Sequence, residues 1–283
     1  MKKSTENIRA WKSVSDVWRS LKPPLRPSPG EIKIYEQFLK KTLAGGSSRR
    51  ALLFGATPEL RDLLAKYKFN VSIVDINPVM IKAMTKLLKR KNHQEKIIIS
   101  DWLKVKPLKY HYDVVMGDQI FGNVKFEKWH QFCRIISDSL QPNGHLITNV
   151  ILRFPVKGVF SFEKLINLYQ KYPSKFNNIE NKWQMLYKMM YSDKRFYSKK
   201  NYLVLWPAIL QIQRALKSIR VNLDIKKIAK LADNIYVKEY KYSSPPRKVF
   251  ESILGRHFHI INSDINRKHP VYRHYRIYLA KSI

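Results

Sequence analysis

Two hydrophobic rhythms alternate along the first half of the chain. Short apolar runs recur at RALLF (50–54), VSIVDI (71–76), KIIIS (96–100), YDVVMGD (112–118) and GHLITNVIL (144–152). Such runs predict strands covered on both faces. Between them, PELRDLLAKY (58–67), PVMIKAMTKLLKRK (78–91) and FEKWHQFCRIISDSL (126–140) place apolar residues at helical spacing. A further helix over 31–44 sets Ile32, Tyr35, Phe38 and Leu39 on one face and stops at Gly45-Gly46. The alternation predicts βαβ units, hence an α/β fold with a mostly parallel sheet and helices on both faces.

The pattern changes after residue 154. Aromatic, Lys-rich helical segments fill 155–240 and read as a helical cap or insertion after the fifth strand. HFHIINSDI (257–265) and YRHYRIYLAK (272–281), separated by NRKHP, predict an antiparallel C-terminal hairpin on the sheet edge. Four units follow: an N-terminal strap and helix (1–44), a core (45–154), the helical insertion (155–245), and strands that complete the core sheet (246–283).

Composition narrows the class. Hydrophobic residues make up 45% of the 283, enough for a packed core and too many for a disordered chain. The single cysteine, Cys133, excludes an internal disulfide and a multi-cysteine metal site, so no metal is expected and a reducing cytoplasm is the default. The longest apolar segment, NYLVLWPAILQI, falls short of the roughly 20 residues that span a bilayer. The N-terminus lacks the apolar run of a secretory signal. The formal charge of +33 has two readings. One is a nucleic-acid or anionic-membrane partner; the other is compositional bias, since Lys, Ile, Asn and Tyr are all abundant. No compact basic run decides between them, and no feature specifies an oligomeric state.

In an open α/β sheet, ligands bind beyond the carboxyl ends of the strands. The first strand ends at Gly55, followed by Ala56-Thr57-Pro58-Glu59 and a helix. A glycine there permits close backbone approach, and the helix start offers free N–H groups. The second strand ends at Asp75-Ile76, with Asp75 twenty residues after Gly55, the spacing of an acid that binds a ribose diol. The third runs into Ser100-Asp101-Trp102, an acid beside a flat aromatic. The fourth ends at Gly117-Asp118.

Taken together, these strand ends over residues 45–152 resemble the class I S-adenosylmethionine-dependent methyltransferases, which have a Rossmann-like sheet with a reversed last strand. The resemblance implies S-adenosyl-L-methionine as cofactor. It places Gly55, with Ala56, at the methionine end, Asp75 and Ile76 at the ribose, Asp101 and Trp102 at the adenine, and Gly117 and Asp118 closing the methionine side. The family's usual first motif has an acid two residues before the glycine and further glycines after it; here those positions hold Leu53, Thr57 and Glu59. The GATPE form resembles a sub-branch in which Thr57 and Glu59 supply the polar contacts. Its lead-in, WRSLKPPLRPSPGEIKIYEQFL, brings Arg26 and Ser28 toward the methionine carboxylate. A dinucleotide is disfavoured, because its pyrophosphate requires several glycines.

The implied activity is methyl transfer to a small or medium-sized acceptor. An RNA or protein acceptor and a non-catalytic cofactor-binding role are the alternatives. Candidate bases are Asp118, His130, His145, His257, His259, Tyr272, His274 and Tyr275, and none is singled out as catalytic. His130 falls on the flank of a helix, and His257 and His259 alternate with Phe258 and Ile260 as strand residues do. The insertion's aromatics, Phe160, Phe162, Tyr169, Trp183, Tyr187, Tyr191 and Trp206, line an acceptor pocket or form the insertion's own core.

Overall fold

The computed structural model describes residues 18, 26–43, 48–90, 94–106, 108–153, 171–172, 191, 197–205, 241–268 and 274–283. The expected insertion, 155–245, lies mostly outside them, as do Tyr272 and every insertion aromatic above except Tyr191.

Helix α1 (Pro29–Thr42) opens the fold. Ser28 caps it: its hydroxyl accepts the Glu31 N–H at 3.1 Å, while the Glu31 carboxylate accepts the Ser28 N–H at 2.8 Å. This reciprocal box satisfies two orphan donors, and Pro29 costs no hydrogen bond at the first helical position. Five strand runs then follow: β1 (Arg50–Phe54), β2 (Asn70–Asp75), β3 (Glu95–Ile99), β4 (Tyr112–Gly117) and β5 (Leu140–Ile151). Helices α2 (Pro58–Lys66), α3 (Pro78–Thr85), α4 (Ile120–Asn123) and α5 (Trp129–Ser139) connect them. A small antiparallel sheet follows, β6 (Tyr197–Ser198), β7 (Leu203–Leu205) and β8 (Lys241–Ser243), in that spatial order. Helix α6 (Arg247–Leu254), β9 (Phe258–Ile265) and β10 (Tyr275–Ser282) complete the core.

The main sheet has seven strands in the order β3-β2-β1-β4-β5-β10-β9. Pairs among β1 to β5 are parallel, while β10 runs antiparallel to both β5 and β9. The expected hairpin therefore forms, with β9 at the edge and β10 wedged between it and β5. This reversed strand is what separates a methyltransferase-type sheet from a six-stranded, all-parallel dinucleotide sheet.

Each face of the sheet carries its own core. On one face, Tyr35, Phe38 and Leu39 of α1 and Leu60, Leu63 and Leu64 of α2 pack on alternate residues of the strands. On the other, Trp129, Phe132 and Ile136 of α5 and Phe250, Ile253 and Leu254 of α6 do the same. Both faces being covered explains the uninterrupted burial of β4.

Three expectations change. The helix expected over 78–91 ends at Thr85, because the N–H groups of Lys89 and Arg90 go to Asp62 at 2.9 and 2.8 Å instead of continuing the ladder. The strand expected from 144 starts at Leu140, which already pairs with Tyr112; Asn143, at φ +70°, lies in the irregularity where the register shifts before His145 pairs with Val114. Strands β6 to β8 and helix α6 were not anticipated.

Gly117 is a tight spot. A Cβ there would overlap the Ile120 side chain and stand 3.2 Å from the Phe54 carbonyl oxygen. Gly117→Ala is expected to cost about 1–3 kcal/mol by overpacking, read as a shift of the urea midpoint at unchanged slope.

Candidate functional site

Strand order reverses between β1, whose outer neighbour is β2, and β4, whose outer neighbour is β5. In open α/β sheets, ligands bind at such a point, in the crevice beyond the carboxyl ends of the strands. Gly55 turns the chain out of β1 at φ +85°, a conformation that favours glycine. Thr57 precedes α2 without forming a side-chain cap.

Asp75 holds two turns together. Its Oδ1 accepts the Asn77 N–H at 2.9 Å, and backbone N–H groups of Ile76 and Ala56 also point to the carboxylate. Burial still pushes its pKa up, against these hydrogen bonds. Beside it, Ile76 and Val79 are 37% and 44% exposed, an apolar wall open to solvent.

Asp101 caps a turn: its Oδ1 accepts the Leu103 N–H at 2.9 Å, and its carbonyl accepts those of Lys104 and Val105. The Trp102 indole N–H donates to the Val74 carbonyl at 2.9 Å. One ring face stacks on Phe132, with centroids 6.1 Å apart and planes at 15°, and Phe54 meets it edge-on. Trp102 is thus a fixed wall, 3.6 Å from where a side chain on Gly55 would begin.

At the methionine side of the expected site the structure gathers acids. Asp118 follows β4; burial, then the Glu31 and Glu59 charges, hold its pKa well above the carboxylate range, opposed by the Tyr35 hydroxyl. Tyr35 is fully buried in α1 and donates to the Gly117 carbonyl at 3.0 Å. Glu31, 2% exposed, accepts from the Ser28 hydroxyl at 2.7 Å and from the Asn149 amide at 2.9 Å. Burial nonetheless raises Glu31 and also Glu59. Glu59 receives the Arg26 guanidinium and the Trp18 indole N–H, each at 3.4 Å. Three oxygens remain buried without a hydrogen-bond partner: Glu59 Oε2, Asp118 Oδ1 and Asn149 Oδ1. In a chain of charge +33 this end of the sheet thus gathers carboxylates, and three of its buried oxygens lack a donor.

Ser28 and Arg26 stand at this crevice, engaged with Glu31 and Glu59 respectively. Glu31, Tyr35 and Asn149 were missed by sequence reading. Only the Ser28-x-x-Glu31 spacing, a capping-box signature, was there to find Glu31. Among the candidate bases that are described, Asp118 stands in the carboxylate cluster with Glu31 and Glu59. His145 lies opposite Lys281, near the amino end of β5, and His130 pairs with His257 elsewhere. Among the described residues, no group of three or more His, Cys, Asp and Glu side chains could hold a metal ion, and no helix is long and apolar enough to cross a membrane.

No protein-family model and no curated protein matches the chain. Solved structures do. The CcbJ methyltransferase from Streptomyces caelestis is 11% identical with a TM-score of 0.60, covering 96% of this chain and 97% of its own. The 1,6-didemethyltoxoflavin-N1-methyltransferase of Burkholderia thailandensis, solved with 1,6-didemethyltoxoflavin and S-adenosylhomocysteine, is 9% identical with a TM-score of 0.56 over 99% and 89%. A Rhodobacter sphaeroides protein with a provisional name as a Zn-dependent alcohol dehydrogenase is 18% identical with a TM-score of 0.61 over 98% and 99%. At these identities the likeness is one of fold. That fold, with its reversed seventh strand, is the class I methyltransferase fold.

The raised carboxyls have a consequence for stability. A carboxyl whose pKa is higher folded than unfolded makes the native state bind more protons, so its contribution is lost as pH rises from about 4 through the raised value. Asp118→Asn is expected to flatten the fall in melting temperature between about pH 5 and pH 8. Parallel melts of the two proteins check this; equal slopes would refute it.

Proposed function

We propose that the chain is an S-adenosylmethionine-dependent methyltransferase of the GATPE sub-branch acting on a small or medium-sized acceptor. The observation that carries this reading is the set of unpartnered buried oxygens of Glu59, Asp118 and Asn149 at the switch point. Acceptors without donors in a low-dielectric crevice favour a cationic, donor-bearing ligand. S-adenosylmethionine fits: it carries an ammonium and a sulfonium, and it has no pyrophosphate to demand a glycine-rich loop. Glu59 then takes over from the acid that Leu53 replaces.

When bound, the cofactor supplies an activated methyl group. The chain's own residues position it. Asp75 would accept the ribose hydroxyls, the Ile76 and Val79 wall and the Trp102 side would border the adenine, and Asp101 would meet its amino edge. Arg26 would offer its guanidinium to the methionine carboxylate while still touching Glu59. Much of the rate enhancement then comes from orienting the acceptor. Residues 45–154 and 246–283 would form the cofactor-binding core, 1–44 a strap across it, and 155–245 the acceptor-selecting insertion.

The test is calorimetry of S-adenosylmethionine binding in two buffers of different ionisation enthalpy. Micromolar binding with proton release is expected, because a cation favours the ionised form of the raised carboxyls. No binding by folded protein would refute the reading.

A further inference from the structure

A second set of titratable side chains shares no residue with the acidic crevice. Helices α5 and α6 leave an open groove of about 360 Å³ between them. Phe126, Val249 and Ile253 form its apolar floor; His130, Lys248 and Arg256 stand around it. His130 Nδ1 lies 3.0 Å from His257 Nε2, so one ring donates and the other accepts.

Cationic groups surround the pair. Burial first, then His130, Arg134 of α5 and Arg256 after α6, hold the His257 pKa below the ordinary histidine value. Lys248 faces the groove from α6. The acid of α6, Glu251, is engaged by Arg247 at 2.7 Å and by the Tyr278 hydroxyl at 3.1 Å. Glu127 precedes α5 in a short 3-10 turn, and His259 follows on β9. Among the described residues, no carboxylate lines the groove.

We propose that this groove binds a small phosphomonoester with a flat apolar body, its phosphate held by His130, Lys248 and Arg256, with His257 paired to His130 behind them. The chemistry follows from what the lining lacks. It offers N–H donors and positive charge without an anion to balance them, and a dianion is the ligand that relieves this. The volume falls in the range of small-ligand sites, about 300–1,000 Å³. A floor of Phe126, Val249 and Ile253 suits a ring and gives a bare phosphate nothing. An arriving dianion also favours protonation of the second imidazole, turning a pair that shares one proton into two donors. This site stands independently of the methyltransferase reading.

The experiment titrates the full chain with phenyl phosphate, followed by calorimetry and by the imidazole NMR signals of His130 and His257. Saturable binding that moves both signals is expected, tighter at about pH 6.5 than at about pH 8.5. Lys248→Ala and Arg256→Ala, both at exposed positions, should each weaken binding about tenfold while leaving the melting temperature unchanged. His257→Asn should remove most of the pH dependence. Absence of saturable binding would overturn the proposal. So would equal affinity for inorganic phosphate, or unchanged affinity in both variants. A single-stranded oligonucleotide that displaces phenyl phosphate at lower concentration would also overturn it, assigning the groove to nucleic acid instead.

Discussion

Asp75→Ala is expected to lower S-adenosylmethionine affinity about a hundredfold, since two hydrogen bonds from ribose hydroxyls to a buried carboxylate would be lost. The loss has a second source in the ligand-free protein. Asp75 also accepts the Asn77 N–H and faces the N–H groups of Ile76 and Ala56, so its removal loosens the turn after β1 as well as the one after β2. Asp75→Asn separates the two effects. The amide keeps an acceptor for the turns but lacks the charge, and it should recover most of the melting temperature and only part of the affinity. Calorimetry together with a thermal melt reads both quantities. Full affinity in Asp75→Ala would place the ribose somewhere else.

The largest loss of stability is expected from Arg61→Ala. Arg61 is 1% exposed, and its guanidinium grips Glu95 through Nε at 3.0 Å and Nη2 at 2.6 Å. Its remaining nitrogen donates to the Thr85 hydroxyl at 2.9 Å. These contacts tie α2 to edge strand β3 and to the end of α3. Deleting one partner of a buried pair leaves the other charged and desolvated, at a cost of about 3–5 kcal/mol. Replacing both, as in Arg61→Met with Glu95→Met, should cost far less, because no uncompensated charge remains. Chemical denaturation of the single and double variants measures the difference. Equal losses would mean that packing of the Arg61 stem, and not its charge, holds β3.

The parts of the fold that read clearly from sequence are those stabilised locally. Strands β1, β2 and β4 announce themselves because burial demands an apolar run, as in Ala51–Phe54; β3 has such a run too, but at the sheet edge it leaves Ile97 and Ile99 exposed, against the expectation that it is covered on both faces. The paired strands of the small sheet are two or three residues long, too short to carry a period. The early stop of α3 depends on Asp62, which reaches Lys89 and Arg90 from another helix, and no local pattern reports such a contact. The site divides the same way. Gly55, Asp75, Asp101 and Asp118 were legible as residues at or just after strand ends, because the apolar runs before them mark where each strand stops. Trp102 was legible as a neighbour of that crevice but not as a ring already stacked on Phe132. Tyr35 and Asn149 come from a helix and a strand interior whose periodicity marks them only as core positions. Their polar atoms meet Glu31 and Asp118 through the tertiary fold alone.

The wedged position of β10 sets an order of events in folding. β5 and β9 are not neighbours; β5 is held by β4 on its other side, while β9 is joined to the sheet through β10. β5 ends at Ile151 and its partner begins at Tyr275, so residues 152–274 must be synthesised before that gap closes. Until then β5 presents an open edge beside Asn149, and the carboxylate cluster sits at an unfinished rim of the sheet. Such long-range closure is slow and leaves the nascent chain exposed to strand-edge association. Competence to bind a cation in the crevice would therefore arise late, in one step, when residues 275–282 are laid in.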